Sequence, residues 1–173
     1  MSGRLPKFIE PLRLARDGGH LQGQLPLHGM TRLAESVEAV QGEARIDLQF
    51  GVDEAGVRTL QGTIQAEVQQ ICQRCMAPMT VTLNAEVSIG IVRSPEEAQE
   101  LPELLEPMIL ETADPISLAD LAEDELILAL PIAPMHGAGE KCVGLDEYRS
   151  DEKATVVEKP NPFAVLAGLK KKH

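Results

Sequence analysis

Residues 44–91 contain three runs in which apolar and polar side chains alternate. In the first, Ala44, Ile46, Leu48 and Phe50 are separated by polar residues. In the second, Leu60, Gly62, Ile64, Ala66 and Val68 share one face, while Gln61, Thr63, Gln65, Glu67 and Gln69 share the other. The third sets Met79, Val81, Leu83, Ala85, Val87, Ile89 and Ile91 against polar partners. A period of two sends successive side chains to opposite faces of a strand, so each run buries one face and wets the other. Asp53-Glu54-Ala55-Gly56 reads as the turn between the first two runs, and ICQRCMAP (71–78) lies between the second and third. Three such strands joined by two turns predict an antiparallel meander.

Helical stretches around the meander make the expected class α+β. Leu118, Leu121, Ala122, Leu128 and Ala129 recur at helical spacing, which predicts a packing helix over about 117–130 that stops at Pro131. Ser117-x-x-Asp120 resembles a capping box, and the run LILAL (126–130) implies burial all round near the helix end. Glu125 falls on the apolar side, either paired with an arginine of the sheet or with its head in water. A shorter helix is expected over 30–40, with Leu33, Ala34, Val37 and Val40 on one face and Thr31 as its cap. Around Asp17-Gly18-Gly19, residues 7–27 read as a hairpin or two edge strands. Residues 94–107 (SPEEAQELPELLEP) read as an acidic, proline-punctuated loop with a turn or two of helix.

The expected organisation is one domain over 1–145, an acidic linker over 146–159, and a short C-terminal helix with a basic tail over 160–173. In that last segment Asn161 suits an N-cap and Pro162 the first helical position, and three lysines complement the negative helix end. Phe163 and Leu166 form a small apolar stripe, on a helix too short to be stable without docking.

The aromatic inventory is Phe8, Phe50, Phe163 and Tyr148 with no Trp, so the core is aliphatic. A surface that stacks single-stranded bases on aromatic rings is nearly excluded. Net charge is −11 over 173 residues, and it is unevenly spread. Residues 94–158 hold 17 acidic side chains against 3 basic, whereas 159–173 hold four lysines and no acid. Such a chain repels phosphate backbones, so a basic protein partner fits better than a grip along RNA. Candidate partner-facing residues are Glu96, Glu97, Glu100 and Glu103, together with Asn161, Pro162, Phe163, Leu166, Lys170, Lys171 and Lys172. No stretch reaches the ~20 apolar residues of a membrane helix. An odd count of three cysteines, without an apolar leader at the N-terminus, points to the reducing cytoplasm.

The cysteines carry the one chemical motif. In a thioredoxin-like site CxxC opens a helix, whose N-terminus lowers the thiol pKa. Here Pro78 and a period-2 run follow Cys75, so the next element is a strand and the context is wrong for that chemistry. A CxxC on the turn of a hairpin is instead half of a zinc knuckle. The second half falls to the loop MHGAGEKC, with His136 and Cys142 six apart. Cys72, Cys75, His136 and Cys142 thus read either as a Cys₃His zinc site or as free cysteines beside an exposed histidine. No phosphate loop, GxSxG or HExxH appears, so no catalytic residue is assigned.

CQRC before a proline-led strand, then EDELILALPIAPMH, a further cysteine, and KPNPFAVLAGLKKK at the end resemble the bacterial YceD family, also called large ribosomal RNA subunit accumulation proteins. The resemblance runs over essentially the whole chain. It implies a role in the synthesis, processing or stability of large-subunit ribosomal RNA, and the lack of a catalytic motif makes that role read as non-enzymatic. Taken together with the acidic charge of residues 94–158, that role points to a ribosomal protein or assembly factor as partner, with ribosomal RNA contacted directly or indirectly. Some members carry a cysteine where His136 stands and further cysteines after the Gly-Leu matching Gly144-Leu145. This chain has Asp146 there, so its site is either a His-substituted version or a dismantled one. The rival reading from another class is a thiol- or zinc-dependent enzyme acting on RNA or protein.

Overall fold

The computed structural model describes residues 5–137 and Cys142. The alternating runs form strands β4 (Glu43–Val52), β5 (Arg58–Ile71) and β6 (Pro78–Val92). They follow β1 (Phe8–Ile9), α1 (Pro11–Asp17), β2 (His20–Pro26), a 3₁₀ turn (Leu27–Gly29), α2 (Thr31–Ser36) and β3 (Ala39–Val40). After them come α3 (Pro95–Gln99), β7 (Glu106–Ile109), β8 (Ile116–Ser117) and α4 (Leu118–Leu128). The main sheet runs β2-β4-β5-β6-β7, with β3 pairing the end of β5 that β4 leaves uncovered. All its pairs are antiparallel except β6–β7, which is parallel. β1 and β8 form a separate two-stranded ribbon, Phe8 opposite Ser117.

The meander is the one the alternation predicts. Ala44, Ile46, Leu48 and Phe50, then Leu60, Ile64, Ala66 and Val68, then Leu83, Ala85, Val87, Ile89 and Ile91, all face the core. α1 and α4 close that face, and α2 packs on α4. Enclosing each Val, Leu, Ile or Phe side chain among them contributes about 1.5–3 kcal/mol. Gly62 is required in β5. Its φ is 151°, and a Cβ there would lie 2.0 Å from the Asp47 carbonyl oxygen of the adjacent strand.

Several expectations are corrected. Residues 11–17 form a helix, not a strand of a hairpin. Pro11 suits its first turn, and Gly18 ends it at φ 66°, with Gly19 N–H returning to Leu14 O at 2.8 Å. β1 therefore pairs β8, more than a hundred residues away, instead of β2. The helix expected over 30–40 is confined to α2, without a Thr31 cap, because Ala39 and Val40 are drawn out as β3 onto β5. In α4, Ser117 does cap, its Oγ accepting from Asp120 N–H at 3.2 Å. Burial is not all round at the end, since Leu128 is 72% exposed. Glu125 is half-buried, and the enclosed carboxylate is Glu123, 5% exposed. Residues 94–107 do hold a short helix, α3, but β7 begins within them. The chain divides into Met1–Cys142 and Val143–His173. The second unit, with the expected linker and C-terminal helix, lies outside the described residues.

Candidate metal centre

The turn between β5 and β6 is shaped by two backbone bonds. Cys72 N–H donates to Ala77 O at 2.9 Å, and Met76 N–H donates to Cys72 O at 2.9 Å. Met76 sits at φ 59°, the one non-glycine residue with positive φ among the described residues. That conformation costs roughly 1–2 kcal/mol, and a tight knuckle holds the residue in it. Both sulfurs of the CxxC are thereby kept on the inside of the turn. The second half arrives from α4. The chain leaves that helix through Pro131, and Pro134, itself buried, accepts Gln73 N–H at 2.8 Å. This bond docks the loop on the knuckle immediately before His136.

The result brings together all four predicted donors. Among the described residues, Cys72, Cys75, His136 and Cys142 form the one group of His, Cys, Asp and Glu dense enough to hold an ion, their ligand atoms all within 4.8 Å of one another. His136 Nδ1 lies 3.5 Å from Cys75 Sγ and 3.5 Å from Cys142 Sγ. Tetrahedral zinc with bonds of about 2.0–2.1 Å to nitrogen and 2.3 Å to sulfur sets N···S edges of about 3.6 Å. The donor set and its spacing therefore fit a four-coordinate metal of that kind.

The surroundings favour the thiolate of Cys72. Burial opposes ionisation of Cys72, which is fully enclosed. Backbone N–H groups of His136, Cys75 and Arg74, helped by the Cys75 thiol, outweigh burial and bring its pKa to about 5. Cys75 moves the other way. The Ala77 N–H favours its thiolate, but burial and the Cys72 and Cys142 sulfurs prevail and raise it. Arg74 donates from Nε to Cys142 Sγ at 2.9 Å and from Nη2 to the His136 carbonyl at 3.4 Å. Three thiolates around a divalent ion leave a net charge of about −1, which one guanidinium balances. Arg74, in the middle of CQRC, thus places its guanidinium against the Cys142 sulfur and the His136 carbonyl, where it would balance that charge.

The acidic candidates stand elsewhere. Glu96 and Glu97 are on α3, Glu100 at its C-cap and Glu103 beyond it, all exposed. Ser94 caps α3, and Glu97 accepts Arg93 N–H at 2.8 Å. The Ser94 hydroxyl, followed by its own N–H, holds the Glu96 carboxyl below its ordinary value. Asn161, Pro162, Phe163, Leu166, Lys170, Lys171 and Lys172 lie outside the described residues. The sequence reading missed the pair that anchors α4. Glu123 Oε1 accepts Leu33 N–H at 3.0 Å, and Oε2 accepts from Arg32 Nη2 at 3.0 Å and Nε at 3.2 Å. No described helix is long and apolar enough to cross a membrane.

No solved structure matches the chain. The family described as Large ribosomal RNA subunit accumulation protein YceD matches residues 60–170. A relative from Haemophilus influenzae, named Large ribosomal RNA subunit accumulation protein YceD, is 37% identical over 175 residues, covering 98% of each chain. The matched residues span β5, β6 and α4 and all four donors of the cluster, and the relative aligns nearly end to end. The chain belongs to the YceD family of large ribosomal RNA subunit accumulation proteins.

Proposed function

We propose that this protein is a non-enzymatic factor in the synthesis, processing or stability of large-subunit ribosomal RNA, acting through a basic protein partner. One observation carries the ribosomal part: the nearly full-length likeness to a protein named for accumulation of that RNA. Charge supports the indirect route. A chain of net −11 is repelled by phosphate, while Glu96, Glu97, Glu100 and Glu103, exposed among the described residues, offer a cationic partner an acidic surface.

In this reading the Cys₃His cluster binds zinc as a structural pin. All four coordination positions would be filled by the chain, leaving none for a substrate or a reactive water. Zinc would join the β5–β6 knuckle to the loop after α4 and so fix the end of the sheet against the helix. The catalytic roles left open by the motif alone gain little support from its surroundings: the one acid–base group beside the sulfurs is His136, whose Nδ1 is itself placed among the donors, and the other neighbours are backbone N–H groups and Arg74.

The test is co-purification of the full-length protein with large-subunit precursors. Reversing Glu96, Glu97, Glu100 and Glu103 to lysine together should weaken association while subunit ratios shift as in a deletion strain. Unchanged association, with loss on deleting residues 159–173, would move the binding to the tail and sink the acidic-surface part.

A further inference from the structure

Among the described residues, the outer edge of β6 is an open template from Thr80 to Glu86. Register between β5 and β6 is continuous from Arg58 opposite Ile91 to Ile71 opposite Pro78. The next pair outward, Cys72 and Ala77, is hydrogen-bonded. Bonded and non-bonded pairs alternate along an antiparallel ladder, so Met79, Val81, Leu83, Ala85 and Val87 spend their backbone groups on β5. The residues between them, Thr80, Thr82, Asn84 and Glu86, aim N–H and C=O away from it. β7 covers the same edge only from Ile89 to Val92, and the Leu110 N–H to Val92 O bond, 2.8 Å, confirms which parity faces outward. Among the described residues nothing pairs Thr80, Thr82, Asn84 or Glu86 from outside, and all four are exposed.

Free edges of this length are normally blunted by proline, a bulge or clustered charge. The opposite edge follows that rule: β2 is half as long, holds Gly23 and ends at Pro26, which has no N–H to offer. On β6 the stretch from Met79 to Val87 has no proline, no bulge and one charged residue, Glu86. Its register is unbroken over roughly 20 Å.

Charge selects the occupant. β6 carries no lysine or arginine, and neither does β5 from Thr59 to Ile71. Glu67 stands opposite Thr82 on the outer face, and Glu86 lies on the edge itself. Where β7 begins, Glu106 and Glu125 face each other closely enough that their repulsion, after burial, raises the Glu125 carboxyl. A second copy of the chain would bring two bodies of net −11 together over these same carboxylates. A cationic strand would instead meet Glu67 and Glu86 with opposite charge.

We infer that the edge of β6 from Thr80 to Glu86 is a strand-addition site for an extended, lysine- or arginine-rich segment of a protein partner. Main-chain bonds supply the affinity, and alternate basic side chains read Glu67 and Glu86. This rests on the proposed action through a basic partner, and names where and in what conformation that partner binds.

The first experiment needs no ribosomal component. Isotope-labelled full-length protein is titrated with a synthetic peptide of alternating lysine and valine, and separately with a peptide of the same charge interrupted by prolines. The expected result is amide shifts and slowed exchange at Thr80, Thr82, Asn84 and Glu86 with the first peptide only. Equal shifts with both peptides, or shifts elsewhere, would overturn the inference as mere charge attraction. Concentration-dependent protection of the edge without peptide would overturn it in favour of a second copy. The second experiment uses Thr82→Pro, which removes an outward N–H that the protein's own ladder does not use, and Thr82→Lys, which keeps the N–H and adds a repelling charge. Both should reduce co-purification with large-subunit precursors at least tenfold, with the circular dichroism spectrum unchanged. Wild-type association left intact by both would refute the edge and spare the ribosomal role. Peptide binding at the edge without any wild-type association would do the reverse.

Discussion

Replacing Glu123 with alanine is expected to destabilise the protein by about 3 kcal/mol. Glu123 is 5% exposed, while its partner Arg32 keeps about half of its side chain in water. Alanine leaves the Leu33 N–H enclosed without an acceptor, at about 1–3 kcal/mol. Loss of the ion pair adds no more than about 1 kcal/mol, because water screens the exposed guanidinium, which also retains Asp124. Glu123→Gln keeps an oxygen for Leu33 N–H and forfeits only the ionic part, so it should cost about 1 kcal/mol. Urea unfolding followed by far-ultraviolet circular dichroism, at one fixed metal concentration, measures both. Thermal midpoints should fall about 2–4 °C for each kcal/mol. Equal losses for the two variants would refute the role assigned to the Leu33 bond. Losses below about 0.5 kcal/mol in both would mean that the tie between α2 and α4 contributes nothing. The pair matters for the Cys₃His cluster as well, because α4 feeds the loop that docks Pro134 on the knuckle.

Protein purified under reducing conditions should carry about one zinc per chain, lost in Cys142→Ser; elemental analysis finding no metal in a well-folded wild type would end the structural-zinc reading. Cobalt substitution should give the intense visible bands of a tetrahedral, thiolate-rich site, retained in His136→Cys. Gly62→Ala should be destabilised by more than about 3 kcal/mol, since its Cβ would overlap the Asp47 carbonyl, and would yield mostly insoluble protein. Glu125→Gln should be more stable than wild type at pH 7 by about 0.5 kcal/mol. Burial first, then Glu106 and Asp124, raises this carboxyl above its ordinary value of 4.5. A raised acid binds its proton more tightly when folded, so stability falls as pH rises from the unfolded value through the folded one. The advantage of glutamine should accordingly vanish below about pH 4, where both states are protonated.

The meander, its buried face and the knuckle turn were all readable from local pattern, because a period of two and a CxxC between two strands are properties of neighbouring residues. His136 and Cys142 were readable as the other half by inventory, since few other thiols and imidazoles exist in the chain. Their convergence needed the packing of α4, which turns a distant loop back onto Gln73. What escaped the sequence shares that dependence on distance. β1 extends because Ile116 and Ser117 wait beside it, and β7 joins in parallel only after α3 and its loop have carried the chain back alongside β6. Glu123 rather than Glu125 is enclosed because α2, some ninety residues earlier, covers that flank of the helix. The alternation of residues 79–87 specified a strand with one apolar face. Which part of its outer edge is covered within the described residues was decided by where β7 begins, at Glu106 opposite Ile89, a fact of tertiary arrangement that no local period encodes.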